Sequence, residues 1–389
     1  MTRKIQTLNS ISKKGLARLP EGYVVGNDVA NADAILVRSQ AMHDLKLPAS
    51  VLCIGRAGAG TNNIPVKAMS DQGVVVFNAP GANANAVKEL VIAGMLMGTR
   101  NLFPALRFVS GLVGDDESLH KQVEAGKKHF VGHELRGSTL GIIGLGAIGS
   151  QLAESAIQLG MNVVGYDPEI TVDAAWRLPS QVRKATSVDD LVKRADFISL
   201  HVPLLPATKD LINADRIKLM KKGAILLNFS REGIVSEPAA LDGLNEGKLH
   251  AYVCDFPSNL LRSHPHFVSL PHLGASTEEA EENCAIMVAE QVADYLENGN
   301  ITNAVNFPNI SMPRESAYRL AIANANVPNM LGQISTTLAG AGLNIHNMVN
   351  KSRGDMAFTL VDVETEVPPQ AIEKLAAIHG VLRVRYLPS

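Results

Sequence analysis

Residues 139–149 read TLGIIGLGAIG, in which an apolar run leads into three glycines, Gly144, Gly146 and Gly149, spaced as G-x-G-x-x-G. An unbroken aliphatic run is typical of a strand buried in a parallel sheet. A tight turn, the close approach of a pyrophosphate and the close packing of a helix on a strand each require a glycine at this spacing. The stretch therefore predicts a strand, a phosphate-binding turn and a helix over residues 150–159, with Ala147 and Ile148 also at the turn.

An acidic residue follows at the distance expected for a dinucleotide site. Asp167 ends the next apolar run, NVVGYD, and lies 23 residues after Gly144 (167 minus 144). A carboxylate there can hydrogen-bond the adenosine ribose hydroxyls and would repel a 2′-phosphate. We therefore expect NAD rather than NADP. The alternative is three packing glycines and a surface aspartate.

Short apolar runs alternate with helical patterns on both sides of this motif, for example AILV at residues 34–37 and AILLNFS at 224–230. Such alternation predicts an α/β protein with two Rossmann-like domains, each built on a doubly wound parallel sheet. A helix over residues 277–298 would return the chain to the first domain. We expect a substrate-binding domain at 1–95 and 282–310 and an NAD-binding domain at 96–281.

The last part of the chain has a different pattern. Residues 303–314 hold two prolines and little periodicity, which is typical of a linker. From residue 316 to 389 the order is strand, helix, strand, strand, helix, strand. This order predicts a third domain of the ferredoxin-like α+β class.

Composition limits the possible partners. The formal net charge is −2 and aromatic residues make up 4% of the chain, which argues against a nucleic-acid partner. The three cysteines, Cys53, Cys254 and Cys284, are far apart and suit reduced thiols rather than a disulfide framework or a metal site. The sequence has neither a signal-peptide core nor a long apolar run, so we expect a cytoplasmic protein without a membrane partner.

Reactive residues follow three of the predicted strands. They occur in NFSR at 228–231, DFP at 255–257 and PHLG at 271–274. Ligands of such sheets bind outside the carboxyl ends of the strands. Arg231 offers a planar fork for a carboxylate, and His272 can exchange a proton near neutral pH. Either residue alone would more often be structural, but together they predict oxidation of an alcohol that bears a carboxylate.

These residues carry a family resemblance. GLGAIG, LHVPLLPAT, LLNFSREGIV and PHLGAST, in this order, resemble the D-isomer-specific 2-hydroxyacid dehydrogenases over nearly all of residues 30–308. VRSQAM, IGRAGAGTNNIPV, FNAPGANANAV and AVNFPN are most similar to the members that oxidise 3-phospho-D-glycerate in L-serine biosynthesis. The resemblance implies that Arg231 and the N–H groups near Ala59 and Gly60 bind the substrate carboxylate and that His272 is the acid/base. It also implies cofactor contacts at Val202, Phe229, Ser230, Asp255 and Gly274.

One position departs from the family. The glutamate that orients the histidine, in D-V-F-x-x-E-P, is replaced here by Asn259. A neutral amide stabilises an imidazolium less than a carboxylate does. Asp255 either serves in its place or takes the role of another family residue, the aspartate near the nicotinamide amide. Cys254 occupies the position of that aspartate, and Asp255 is the adjacent residue. We favour the second role.

A phosphate-bearing substrate also needs cations. Arg38, Arg56 and Lys127 are the candidates, with Ser39 and Asn83 as polar support, because most of these positions match family residues that touch substrate. Each could equally be a solvated surface charge, although Arg56 lies in a glycine-rich loop after a buried strand.

Residues 318–389 resemble an ACT domain, a ligand-sensing unit of amino-acid biosynthetic enzymes. By that resemblance, Asn326 and Asn344 would bind L-serine as an effector, although Asn324 and Asn329 replace an expected histidine and glycine. The alternative is a dimerisation module without a ligand. Because ACT domains commonly pair across two-fold axes, we expect a homo-oligomer, either a dimer or a tetramer.

Two other functions stay open at this point. One is a glyoxylate or hydroxypyruvate reductase, which would act on an unphosphorylated 2-hydroxy acid. The other is a non-catalytic NAD-sensing regulator, which the loss of the glutamate at position 259 permits but Arg231 and His272 oppose.

Overall fold

The computed structural model describes residues 2–388, and its internal contacts divide them into two compact units. The outer unit contains the chain up to Asn83 and again from Glu278 onward, and the central unit is Ala84–Thr277. The predicted bounds of three domains, 1–95 with 282–310, 96–281 and 316–389, remain a proposal.

The first half of the outer unit forms a five-stranded sheet in the order β2-β1-β3-β4-β5, with every pairing parallel. Its elements are β1 (Lys4–Leu8), α1 (Lys13–Leu16), β2 (Val24–Gly26), β3 (Ala34–Val37), β4 (Cys53–Arg56), α2 (Val66–Asp71) and β5 (Val75–Phe77). The short runs of buried aliphatic residues form the inner strands β3 and β4 and the edge strand β5, as the pattern predicts. The strand β1 has only two buried residues out of five, and its sequence had no clear strand signal.

The central unit is a seven-stranded parallel sheet in the order β12-β11-β10-β9-β6-β7-β8. It begins with the helices α3 (Ala84–Thr99), α4 (Leu102–Ser110) and α5 (Asp116–Gly126) and a 3-10 helix at Lys127–Phe130. The sheet and its helices then follow as β6 (Thr139–Ile143), α6 (Ala147–Gln158), β7 (Asn162–Tyr166), α7 (Val172–Trp176), β8 (Arg183–Lys184), α8 (Val188–Arg194), β9 (Phe197–Leu200), α9 (Ala214–Leu219), β10 (Ala224–Asn228), α10 (Glu237–Asn245), β11 (Leu249–Cys254) and β12 (Phe267–Ser269). The strand order reverses between β6 and β9, which is where a doubly wound sheet opens a crevice for a ligand.

Two glycines bring α3 close to this sheet. A Cβ at Gly94 would lie 2.9 Å from the Phe229 ring, and one at Gly98 would lie 3.1 Å from Ile225. The helix therefore packs with its backbone near β10, and the Phe229 side chain that follows this strand is buried beneath it.

The chain returns to the outer unit through α11 (Glu278–Asn298), a 21-residue helix that begins one residue later than predicted. The C-terminal module (residues 316–388) then forms a ferredoxin-like fold with the antiparallel sheet order β14-β15-β13-β16. Its elements are β13 (Tyr318–Ala325), α12 (Met330–Gly340), β14 (Ile345–Arg353), β15 (Met356–Val363), α13 (Pro369–Ala376) and β16 (Val381–Pro388). The predicted fold class, α/β with a ferredoxin-like C-terminal part, is confirmed.

One face of the module's sheet is part of the same apolar core as α11 and the five-stranded sheet. Phe358 of β15 contacts Tyr295 of α11 and Phe307, with ring centroids 6.2 and 6.0 Å apart. Phe77 of β5 packs edge-on against the other side of Tyr295, at 5.6 Å. The module is therefore packed into the outer unit rather than tethered to it.

Among residues 2–388, none of the helices combines the length and the apolar character needed to cross a bilayer. The three cysteines are buried and unpaired. Within the same residues, no group of three or more His, Cys, Asp and Glu side chains is arranged to hold a metal ion.

Candidate active site

The glycine-rich turn between β6 and α6 has the form that the sequence predicts. Gly144 has φ of 95°, and a Cβ there would lie 2.3 Å from the carbonyl oxygen of His201. A Cβ at Gly149 would lie 2.0 Å from the carbonyl oxygen of Gly144. Because neither space can hold a side chain, these two glycines are required by the packing of the turn against β9 and of α6 against β6.

Gly146 differs, because a Cβ there would meet nothing within 4 Å. It is the N-cap residue of the 12-residue helix α6, and no side chain caps that helix end. The N–H groups of Ala147 and Ile148, in the first turn of the helix, therefore have no side-chain cap among residues 2–388. An uncapped N-terminus with open space beside it is suited to a phosphate group.

Asp167 follows β7 and is held against this turn. Its Oδ2 accepts a hydrogen bond from the N–H of Leu145 at 2.8 Å, and its Oδ1 accepts one from the N–H of Glu169 at 3.0 Å. Each carboxylate oxygen keeps a further lone pair for a ribose hydroxyl. The carboxylate therefore lies beside the phosphate-binding turn, as the spacing predicts.

His201 and Val202 follow β9 on the other side of the crevice. The Nε2 of His201 lies 2.9 Å from the Ser199 hydroxyl, and its Nδ1 is shielded from solvent without a hydrogen-bond partner among residues 2–388. Burial lowers the pKa of His201 to about 4, so the ring is neutral at physiological pH.

Arg231 lies on a turn that is tied down by polar contacts. The buried Asn228 donates to the carbonyl oxygen of Arg231 at 2.9 Å and accepts from the N–H of Ser230 at 3.2 Å. The hydroxyl of Ser230 donates to the carbonyl oxygen of Leu200 in β9 at 2.8 Å. The exposed guanidinium donates to the Ser230 carbonyl oxygen at 2.6 Å. The backbone that carries the Arg231 guanidinium is therefore fixed, and the guanidinium itself is accessible.

His272 lies on the loop after β12, with its ring exposed. Its backbone has φ of 48°, in the left-handed region. The N–H of His272 donates to the carbonyl oxygens of Asp255, at 3.0 Å, and Leu270, at 3.1 Å. The imidazole packs edge-on against the Phe256 ring, with centroids 5.1 Å apart. Asp255 and Phe256, which follow β11, thus set the position of the histidine.

Asp255 is 1% exposed and carries the buried negative charge of this site. Its Oδ2 accepts a hydrogen bond from the N–H of Gly274 at 3.2 Å, while its Oδ1 has no partner among residues 2–388. Burial raises the pKa of the Asp255 carboxyl, and the nearby positive charges of His272 and Arg231 act against that rise. The three side chains therefore form one electrostatic cluster at the carboxyl ends of β10, β11 and β12.

These features fit a bound NAD molecule. The uncapped helix start at Gly146 can receive the pyrophosphate, and Asp167 can receive the ribose hydroxyls. Near the reacting end, Asp255 Oδ1 is a buried acceptor that has no donor within residues 2–388. Val202, Phe229, Ser230 and Gly274, which the resemblance places at the cofactor, all lie in segments that follow β9, β10 or β12.

The candidate substrate residues of the outer unit follow strands of its own sheet. Arg38 and Ser39 come after β3, Arg56 ends β4, and Ala59 and Gly60 lie on the loop beyond it. The Nε of Arg56 donates to the Arg38 carbonyl oxygen at 3.1 Å, and the Ala59 carbonyl accepts from the Asn78 amide at 2.5 Å. The loop is therefore fixed by polar contacts.

Arg38 has an acidic partner that the sequence did not indicate. Its guanidinium forms an ion pair with Glu281 in the first turn of α11, and both side chains are 40% exposed. Asn83 is the last residue before α3 and is partly exposed. Arg38 is thus neutralised in part, which weakens its case as a phosphate ligand.

Lys127 is placed in the central unit, on the 3-10 helix after α5. Its ammonium group is 65% exposed and forms an ion pair with Glu124. This local i, i+3 pair gives no support to a role in substrate binding.

The asparagines proposed for L-serine do not lie together within one chain. Asn326 follows β13 and donates to the Gly354 carbonyl oxygen at 3.0 Å, while the exposed Asn344 precedes β14. Because β13 and β14 both pair antiparallel with β15, the start of β14 is level with the start of β13. The two asparagines are separated by the length of the sheet, about 23 Å for seven residue steps. Asn326 and Asn344 of one module are therefore too far apart to contact the same serine molecule.

Asn228 and Phe256 hold Arg231 and His272 in place but are not among the site residues that the sequence predicts. An asparagine at the end of a buried strand was the available signal for Asn228. Phe256 lies in the DFP segment that the sequence singled out, but no role was predicted for its ring.

Comparisons with known proteins identify the family of this chain. Residues 104–274 match the family described as D-isomer specific 2-hydroxyacid dehydrogenase, NAD binding domain. The chain is 35% identical over 350 residues to D-3-phosphoglycerate dehydrogenase of Haemophilus influenzae, covering 87% of this chain and 81% of the relative. It is 34% identical over 351 residues to the protein of the same name from Escherichia coli K12, covering 87% and 82%. A third relative of that name, from Methanocaldococcus jannaschii, is 40% identical over 301 residues, 75% of this chain, which spans 55% of that relative's length.

Solved structures show the same architecture. The NAD⁺-bound 3-phosphoglycerate dehydrogenase of Entamoeba histolytica matches with a TM-score of 0.60 and 27% identity, over 79% of this chain and 99% of that one. A D-2-hydroxyisocaproate dehydrogenase matches with a TM-score of 0.64 and 22% identity, over 78% and 99%, which supports the fold alone.

Proposed function

Because the chain belongs to the D-isomer specific 2-hydroxyacid dehydrogenases and, within them, to the D-3-phosphoglycerate dehydrogenases, we propose that it oxidises 3-phospho-D-glycerate to 3-phosphohydroxypyruvate with NAD. This reaction is the first step of L-serine biosynthesis. The observation that carries the proposal is the cluster of Arg231, His272 and Asp255 on the sheet edge that also holds the glycine-rich turn.

The chemistry needs a proton acceptor and a cation. Arg231 binds the substrate carboxylate through its two parallel N–H donors and so orients the C2 atom. An imidazole nitrogen of His272 takes the hydroxyl proton, and the O–H electron pair becomes the second bond of the new carbonyl group. NAD, when bound, supplies the acceptor for the hydride that leaves C2. The products are a 2-keto acid, NADH and one proton.

The phosphate of the substrate requires a cation of its own. Arg56 is the candidate that we favour, because it precedes the glycine-rich loop after β4 and its Nε is held by the Arg38 carbonyl oxygen. A rigid guanidinium is well suited to a phosphate group.

The proposal is tested by NADH absorbance with 3-phospho-D-glycerate, D-glycerate, D-lactate and glycolate. We expect the phosphorylated acid to have the highest kcat/KM. Arg56→Met should raise the KM for 3-phospho-D-glycerate by at least about tenfold, since it removes a hydrogen bond to a charged group, and should change the KM for D-glycerate little. Lys67→Met, at an exposed position on α2, is the control. Equal effects of Arg56→Met on both substrates would contradict the role of Arg56.

A second candidate is a dehydrogenase or reductase of unphosphorylated 2-hydroxy acids, of the glyoxylate or hydroxypyruvate reductase type. The observation that favours it is the Arg38–Glu281 ion pair, which leaves one cation fewer for a phosphate. In the same panel, a kcat/KM for D-glycerate or glycolate above that for 3-phospho-D-glycerate would select this function.

Regulation by L-serine through an ACT-type module is also part of the proposal. Since Asn326 and Asn344 lie at opposite ends of one sheet, a serine site containing both would need the modules of two chains. We therefore propose a homo-oligomer in which modules pair. Turnover with and without millimolar serine, together with the mass in solution, tests both parts.

A further inference from the structure

The chain lacks a carboxylate at the position where its family orients the catalytic histidine, but it has one nearby. Asn259 occupies the family position, on an exposed turn, and no hydrogen bond from its side chain occurs among residues 2–388. Four residues earlier, the carboxyl group of Asp255 is almost completely buried. The negatively charged side chain near His272 is therefore at position 255 in this chain, instead of at position 259.

Asp255 holds the histidine loop at two points. Its carbonyl oxygen accepts the N–H of His272 at 3.0 Å, and its Oδ2 accepts the N–H of Gly274 at 3.2 Å. These bonds fix the residues on either side of Leu273 while the backbone of His272 stays in a left-handed conformation, with φ of 48°. The position of the imidazole thus depends directly on Asp255.

The positive charges around the carboxylate oppose the rise in its pKa that burial causes. The titratable groups that interact with Asp255 are His272 and Arg231, both on neighbouring loops, and the buried thiol of Cys254. Of the two cationic groups, His272 has the larger effect on the carboxylate. Asp255 Oδ1 has no partner among residues 2–388, so it can still accept a hydrogen bond.

We infer that Asp255 is the positioning residue of His272, replacing the glutamate of the family, and that its charge stabilises the imidazolium formed during turnover. The inference rests on the proposed function, since it requires His272 to exchange the substrate proton. It revises the expectation that Asp255 chiefly contacts the nicotinamide amide.

The Asp255 carboxylate acts on the positive charge that proton transfer creates on the imidazole. During oxidation, the substrate O–H bond breaks and an N–H bond forms on the imidazole, which becomes positively charged beside Asp255. In the reverse direction, the imidazolium returns that proton to the ketone oxygen while hydride from NADH forms the C2–H bond. Asp255 gains and loses no proton in either direction.

The test compares Asp255→Asn with Asn259→Ala. Asp255→Asn keeps an oxygen for the Gly274 N–H and removes the charge, while the other carboxylate oxygen becomes an NH₂ donor. Asn259→Ala changes the exposed residue at the family position and serves as the matched control. Should Asp255→Asn not fold, Asp255→Ser makes the same test, because its hydroxyl can also accept a hydrogen bond. Rates in both directions between pH 6 and 9, NADH affinity from NADH fluorescence, and the melting temperature are measured for each protein.

We expect Asp255→Asn to lower kcat on the order of 10²-fold in the reduction direction at pH 8. Loss of the anion makes the imidazolium less favourable. The apparent pKa in the pH–rate profile (the pH limb) of both reactions should therefore fall by about one unit or more. Lowering the pH should therefore restore part of the reduction rate. NADH affinity should stay within about twofold of wild type, and Asn259→Ala should behave as wild type.

Three results would overturn the inference. Wild-type rates and an unmoved pH limb in Asp255→Asn would leave Asp255 a purely structural role. A large loss of NADH affinity with an unmoved pH limb would assign it to the nicotinamide amide. An equal loss in Asn259→Ala would assign the role to Asn259. Failure of the proposed function is distinguishable, because wild-type protein would then form NADH from none of the 2-hydroxy acids.

Discussion

The backbone of His272 adopts a conformation that residues with a Cβ rarely adopt, at a cost of about 1 kcal/mol. Hydrogen bonds from its N–H to the carbonyl oxygens of Asp255 and Leu270, and the contact with Phe256, offset that cost. Strain of this kind persists only where neighbouring contacts hold it, and it often marks a functional group. At the scale of single residues, the histidine is thus held by the segment that follows β11 as well as by its own loop.

Replacing His272 with asparagine should remove the proton acceptor while preserving the loop. Asparagine tolerates the left-handed conformation, so the backbone should keep its shape. We expect His272→Asn to lower kcat by about 10²-fold or more. NADH affinity from fluorescence should be unchanged, and turnover close to wild type would remove the catalytic assignment.

His201 should make the stability of the protein depend on pH. Its pKa is lowered by burial from 6.5 to about 4, so the unfolded chain binds a proton at a higher pH than the folded chain. The stability due to neutral His201 is complete above pH 6.5 and is lost as the pH falls toward 4. The loss is about 3 kcal/mol for a shift of this size.

Urea unfolding of His201→Gln at pH 7 and pH 4.5 tests this dependence. We expect the variant to lose less stability than wild type over this interval. His43→Gln, at an exposed position, should lose as much as wild type. If His201→Gln and wild type lose the same amount, the acid sensitivity has another source.

The end of α11 illustrates the scale of the secondary-structure element. The last four carbonyl oxygens of the helix, at residues 295–298, accept hydrogen bonds from the guanidinium groups of Arg3, Arg314, Arg319 and Arg385. Helix carbonyls at this end lack intrahelical donors and carry a partial negative charge. Three of these arginines come from the linker or the C-terminal module, so the helix is capped by distant segments.

Arg385 makes the largest contribution to this cap. It donates to the carbonyl oxygens of Tyr295, at 3.0 Å, and Leu296, at 2.8 Å, and lies 4.5 Å from the centre of the Tyr295 ring. Arg385→Met should lower the free energy of unfolding by about 3 kcal/mol, the value for two charge-assisted hydrogen bonds. Lys351→Met, which makes the same charge change on exposed β14, should have a small effect in the same urea titration. A similar decrease in both variants would reject the capping role.

At the scale of the whole molecule, the C-terminal module and the first sheet share one core in the outer unit. Phe358 and Leu360 of the module belong to the same buried cluster as Phe77 and Val288. Arg319 and Asp362 form an ion pair at the base of the module, with both side chains completely buried. Arg319 also donates to the carbonyl oxygens of Met312 and Pro313, so it ties the linker to the module.

Asp362→Asn should destabilise the outer unit by about 3–5 kcal/mol, because it leaves the Arg319 charge buried without a counter-ion. Glu315→Gln removes the acid of the exposed His346–Glu315 pair and should cost less than about 1 kcal/mol. Thermal unfolding monitored by circular dichroism gives both values. Equal effects of the two substitutions would mean that the buried pair does not hold the module in place.

The sequence predicted the fold because strands and tight turns depend on local patterns. Aliphatic runs marked the strands β3, β6 and β10, and the glycine spacing marked the turn before α6. Weakly patterned parts were missed, including β1 and the two-residue strand β8. These two strands are held by pairing with their neighbours in the sheet. Few of their own residues are buried, so their sequences lack the apolar pattern of a strand.

Local residue order by itself determined the parallel strands, the dinucleotide turn and the strand-end positions of Arg231 and His272. Only the tertiary structure decided which distant residues meet: Arg38 with Glu281, Arg319 with Asp362, and Asp255 with the histidine loop. It also decided that Asn326 and Asn344 lie at opposite ends of one sheet. The physical reason is that periodicity and glycine spacing record how each segment is buried, whereas ion pairs and hydrogen bonds between segments depend on how those segments pack.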